Sequence, residues 1–157
     1  MATTHDATEF SQFECNGAPY GSGVFGIVKL HCDMAAIAAE LAATVDGSAS
    51  DVIQLWDIPI GTMILGVLLD VTTPEGAAAT VAVGDGDSTA GYLAATSINS
   101  VAKAGTIITD AYGAASKVYA AADTLDLLFA TDADIDTAVF DVYVYCLFNQ
   151  AAYTISD

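Results

Sequence analysis

From Val139 to Phe148 the side chains alternate. Phe140, Val142, Val144, Cys146 and Phe148 fall on one side, and Tyr143 and Tyr145 on the other. Val24 to Cys32 repeats the pattern, with Val24, Gly26, Val28, Leu30 and Cys32 on one face and Phe25, Ile27, Lys29 and His31 on the other. A period of two sustained this long cannot lay an apolar stripe along a helix, whose period is 3.6. It marks a strand with one dry and one wet face, so the chain must find a second apolar layer to cover the dry one.

Further strands follow the same logic. Val52 to Ile58 is closed by Pro59 and Gly61, and in Thr62 to Val71 the odd positions Met63, Leu65, Val67, Leu69 and Val71 form an inward face. Thr73-Pro74-Glu75-Gly76 reads as a turn, since Pro sets φ and Gly permits a positive one. Ala79, Val81 and Val83 make the next inward face, ended by Gly84-Asp85-Gly86-Asp87. Weaker strands are expected at Tyr92–Ser97, Thr106–Thr109, Lys117–Ala120 and Leu125–Phe129. About eight or nine short strands with turn signals roughly every 8–12 residues predict an all-β sandwich or barrel. The connections are mostly too short for parallel crossovers, so the pairing should be antiparallel.

One segment changes period. Met34, Ile37, Ala38, Leu41 and Val45 recur at helical spacing, Asp33 stands where an N-cap is wanted, and Asp46-Gly47 would end the run. This predicts one short helix near 33–45 inside a domain spanning 24–157. Ahead of it, residues 1–23 are polar and irregular. Their aromatics Phe10, Phe13 and Tyr20 belong either to a frayed terminus or to an N-terminal arm that docks on a neighbour.

Charge narrows the function. Twenty acids face three lysines and no arginine, for a net charge of -17. Neutralising phosphates needs clustered Lys or Arg, so nucleic acid and anionic membranes are excluded as partners. The longest apolar run, Ile58 to Leu69, is closed by Asp57 and Asp70 and is too short to span a bilayer. No secretory signal is expected from Met1-Ala2-Thr3-Thr4-His5-Asp6. Cys15, Cys32 and Cys146 fit no zinc spacing and should be reduced structural thiols.

The search for chemistry returns little. Neither His5 nor His31 has a nucleophile and orienter at a useful spacing, and Cys32 points away from its neighbour His31. No enzyme activity and no cofactor are expected. Asp85 with Asp87, and Asp132 with Asp134 and Asp136, resemble pieces of calcium loops. The first has no distal Glu, and the second carries Thr137 where the turn glycine belongs, so both are left without metal. Trp56 reads as core. Tyr143 and Tyr145, with Phe10, Phe13 and Tyr20, are the candidate interface residues.

Three stretches carry a resemblance. They are Asp51-Val52-Ile53-Gln54-Leu55-Trp56-Asp57-Ile58-Pro59-Ile60-Gly61-Thr62 with a strand running into Asp70-Val71-Thr72-Thr73; Val81-Ala82-Val83-Gly84-Asp85-Gly86-Asp87 with Gly91-Tyr92-Leu93; and Tyr119-Ala120-Ala121-Ala122-Asp123-Thr124-Leu125-Asp126-Leu127. Together, from about Val24 to Phe148, they resemble the β-sandwich head decoration (cement) proteins of tailed bacteriophages. The resemblance implies a jelly-roll-like sandwich, a homotrimer, and a structural virion protein made in the host cytoplasm. It further implies a place on the outer capsid surface, bridging capsomers against the major capsid protein. Two other readings stand beside it. One is a phage tail, connector or fibre-like appendage protein, with Tyr92, Tyr112 and Tyr119 as a receptor surface. The other is a non-viral calcium- or glycan-binding β-sandwich.

Overall fold

The computed structural model describes residues 4–6, 14–15, 24–107, 117–132 and 134–148. Phe10, Phe13, Tyr20 and Tyr112 lie outside these. The strands are β1 (Thr4–Asp6), β2 (Glu14–Cys15), β3 (Val24–Asp33), β4 (Val52–Ile58), β5 (Met63–Thr73), β6 (Thr80–Gly84), β7 (Leu93–Ser97), β8 (Ala102–Ile107), β9 (Asp123–Ala130) and β10 (Val139–Phe148). They form two sheets, in the orders β1-β4-β9-β6-β7 and β2-β3-β10-β5-β8.

The path from β3 to β10 is one long hairpin rolled on itself. Its outermost pair is β3 with β10, followed inward by β4 with β9, β5 with β8 and β6 with β7, every pair antiparallel. Only the β6–β7 connection stays within a sheet; the others from β3 onward cross between layers. The alternation expected from the sequence is what makes this possible. Val28, Leu30, Val142 and Val144 from one sheet and Ile53, Val81, Leu127 and Phe129 from the other are all buried, as an all-β antiparallel sandwich requires. Phe129 and Phe140 meet across the layers with ring centroids 6.5 Å apart.

Two short strands extend this frame from residues 1–23. β1 runs parallel to β4, and β2 antiparallel to β3, so each sheet gains an edge strand from the N-terminal segment.

The helix α1 covers Met34–Leu41, with the Asp33 side chain accepting from the Ala36 amide at 3.2 Å. It is shorter than its spacing predicts. Ala42 turns left-handed at φ 49°, and its amide closes onto the helix end. Val45 still reaches the core, but from beyond the helix, and Asp46 instead caps a 3-10 turn at Gly47–Ala49. The Lys117–Ala120 segment makes a single bridge, Val118 with Met63, rather than a strand. The weak strand expected at Thr106–Thr109 begins earlier, at Ala102.

In β5 the register against β10 shifts at Leu65, which is skipped between Ile64 and Gly66. That bulge reverses the phase. Val67, Leu69 and Val71 point inward as expected, whereas Ile64 is buried and Met63 and Leu65 are only half-buried.

Candidate functional site

At the end of the sandwich where β6 and β4 finish, the loops bring three carboxylates together. The β6–β7 loop folds tightly: Asp85 Oδ1 accepts from the amides of Asp87 and Ser88, both at 3.0 Å. This Asx geometry holds the Asp85 side chain in the interior, where it is fully buried. Asp123, first residue of β9, accepts from its neighbour's amide, Thr124 N, at 2.9 Å. Oxygens of Asp85, Asp87 and Asp123 lie within 4.8 Å of one another, close enough to share a cation.

The cation is Lys117. Its Nζ stands 2.7 Å from Asp85 Oδ2, 2.8 Å from Asp87 Oδ2 and 3.4 Å from Asp123 Oδ2. The same ammonium lies 4.6 Å from the Tyr119 ring centroid. Tyr119 donates its hydroxyl to Asp85 Oδ2 and shares a short hydrogen bond with the hydroxyl of Tyr92. Burial pushes both phenols well above their ordinary range, so they stay protonated and act as donors. The group is a charge network with a tethered cation at its centre. Asp85 and Asp87 do come together, joined by Asp123, and Lys117 takes the position a metal would hold. Asp132, Asp134 and Asp136 form no such cluster; Asp134 and Asp136 are exposed.

The tyrosines of the receptor-surface reading must be reassigned. Tyr92 and Tyr119 are 1% and 2% exposed, because their rings fill the core end and their hydroxyls are used on each other. They offer no outer surface to a sugar.

Tyr143 and Tyr145 sit on the outward face of the second sheet, both half-buried. Across the strands Tyr145 pairs with Ile27, Tyr143 with Lys29 and Leu68, and Leu147 with Phe25. The Phe25 and Tyr145 rings are 6.5 Å apart, and Phe25 remains 54% exposed. One end of this apolar stripe is charged. Asp141 accepts from His31 Nδ1 at 2.7 Å and pairs with Lys29 at 3.0 Å, while Lys103 pairs with Asp70. Burial alone would raise the Asp141 pKa, but His31 and Lys29 outweigh it and hold the carboxyl below its ordinary range.

Cys32 and Cys146 are buried, and burial raises the Cys32 thiol far from reactivity. Asp141 faces outward beside His31, whereas Cys32 faces the core.

Lys117, Asp123, Tyr92 and Tyr119 were not linked by any local motif. The available signal was composition: a lysine this rare in so acidic a chain has a carboxylate to meet.

No protein-family profile and no curated protein sequence matches the chain. Solved structures of similar shape include a chain from the capsid of Ralstonia phage GP4, with a TM-score of 0.60 at 13% identity, covering 94% of this chain and 97% of that one. A chain from the capsid asymmetric unit of cyanophage Pam1 superposes with a TM-score of 0.54 at 16% identity, covering 87% of this chain and 93% of that one. At such identities the likeness is one of fold. It is a likeness of the whole sandwich, over nearly the full length of both chains.

Proposed function

We propose that the chain is a structural virion protein of a tailed bacteriophage that decorates the outside of the capsid and cements neighbouring capsomers. The observation that carries this is the near full-length fold match to chains from two phage capsids. The rolled-hairpin path of the sandwich supports reading it as a jelly roll, a fold used widely in viral shells. Because folds host many functions, the site has to agree. It does: among the described residues Lys117 lies among three carboxylates and the two tyrosines hydrogen-bond each other, an arrangement suited to tying loops together.

In this role the chain acts as a homotrimer against the major capsid protein. Its charge of -17 keeps free copies apart before assembly and keeps the protein off packaged DNA. Basic groups on the shell or counterions offset that charge on docking. The segment 1–20 adds one edge strand to each sheet through β1 and β2, and in this role the segment docks on a neighbour.

Adding the purified chain to shells that lack it, and sedimenting them, tests the proposal. The chain should pellet with shells, less so at high salt. A form without residues 1–20 should fold but stay in the supernatant. Failure of the intact chain to pellet at any salt would refute the role.

A further inference from the structure

The contacts around Asp85 and Lys117 do more than balance charge. Asp85 is fully buried, and Lys117 reaches it with a side chain that is itself only 18% exposed. The two oxygens of Asp85 are held differently. Oδ1 accepts from two backbone amides, those of Asp87 and Ser88, both at 3.0 Å. Oδ2 accepts from the Tyr119 hydroxyl and stands 2.7 Å from Lys117 Nζ. Two further carboxylates reach the same nitrogen, Asp87 at 2.8 Å and Asp123 at 3.4 Å. An amine beside a carboxyl carbon, paired amides on one carboxyl oxygen and a neighbouring base are the parts that acyl transfer needs.

We infer that Lys117 and Asp85 condense into an isopeptide bond, an amide between the lysine Nζ and the aspartate Cγ. The ammonium first passes a proton to Oδ2 across their 2.7 Å contact, a transfer that burial favours because it removes both charges. The neutral amine then attacks Cγ, and negative charge moves to Oδ1, where the two amides receive it. Asp87 or Asp123 takes a second proton from the attacking nitrogen and returns it to Oδ2, which Tyr119 holds in place. The Cγ–Oδ2 bond breaks, Oδ2 leaves as water, and Nζ keeps its third proton in the amide. One ammonium and one carboxylate thus give one amide and one water. In bulk water strong solvation of the two charged groups opposes this condensation. Here Asp85 is shielded from solvent and the pair is held in contact, worth an effective concentration of roughly 10⁵–10⁸ M. The bond closes residues 85–117, with β7 and β8 between them, into a covalent loop that restricts the unfolded chain.

The intact mass of the full chain in denaturant, followed by a tryptic map, tests the inference. The wild type should be one water lighter than its sequence and uncut after Lys117. Its map should contain a branched peptide that joins Lys117 to Asp85. Lys117→Arg keeps the cation but removes the amine, and should restore the full mass. Asp87→Asn combined with Asp123→Asn removes both bases and should leave mostly full-mass chain. The wild-type map decides the matter whether or not a variant folds. A wild type of full mass that trypsin cuts after Lys117 would overturn the inference. So would a loss of water that persists in Lys117→Arg, which would belong instead to cyclisation of Asp85-Gly86 on its own backbone. Either result leaves the proposed virion role standing, because that role does not depend on the bond.

Discussion

The Lys117 ammonium lies 2.7 Å from a carboxylate oxygen of Asp85, whose side chain is entirely buried. The pair pins residues 117–119 against the β6–β7 loop, and Tyr119 strengthens it through its hydroxyl and its ring. Removing one member of a buried pair costs about 3–5 kcal/mol, because the other charge is left in the interior. Lys117→Met should lose an amount of that order in urea unfolding. Adding Asp85→Asn to it should recover part of the loss, since the orphaned charge is then gone.

The same geometry bears on calcium. With the ammonium among the three carboxylates, millimolar calcium should leave the melting midpoint of the wild type unchanged, and chelators should not lower it. A rise with calcium would show that the carboxylates take the ion and displace the lysine.

At the opposite end Glu75 ties two connections together. Its buried carboxylate accepts from the amides of Gly76, Thr137 and Ala138 and from the Thr137 hydroxyl. Burial alone would raise its pKa, but these hydrogen bonds outweigh it and hold the carboxyl below the ordinary glutamate range. A depressed folded-state pKa contributes stability that is present above the unfolded value and lost as pH falls through the folded one. Glu75→Gln should therefore cost about 1–3 kcal/mol at neutral pH, and its difference from wild type should shrink in acid.

Asp126 should behave in the opposite sense. Burial, with Asp123 and Asp85 nearby, raises its pKa despite the hydrogen bond from Thr124. The ionised folded state is thus penalised above that raised value, and the penalty disappears as pH falls through it. Asp126→Asn keeps an acceptor for Thr124 and should raise the melting midpoint at neutral pH, with the advantage gone in acid.

Gly84 ends β6 against the loop that buries Asp85. A Cβ there would stand 1.9 Å from Ser88 O and 2.4 Å from Thr89 C, both backbone atoms that cannot swing aside. Gly84→Ala should cost about 3 kcal/mol or more and disturb the network around Lys117. A melting curve close to wild type would show that the loop has room to move.

The layers were legible because alternation is a local property. Val24–Cys32 and Val139–Phe148 name their own inner faces, and the structure buries Val28, Leu30, Val142 and Val144 accordingly. Where the sequence misled, a long-range relation or a missing marker was responsible. The bulge at Leu65 exists only in the register with β10, so alternation through Met63 and Leu65 carried the wrong phase. Helix α1 stops at Ala42, in a run of alanines that holds no glycine or proline to announce it. β1 and β2 are too short to show a period, and they are strands only because β4 and β3 offer open edges. The Lys117 network joins the β6–β7 connection to residues just before β9 and to the first residue of that strand, which no spacing rule reads. The apolar outer face was half visible, in Tyr143 and Tyr145; its partner strands supplied Phe25, Ile27 and Leu68.

The most direct test of the proposed capsid role is to count this chain in particles purified from its source against the main shell protein. A decoration protein should be present in numbers comparable to the shell subunit and accessible to antibody on intact heads. A few copies confined to the tail, or none at all, would contradict it.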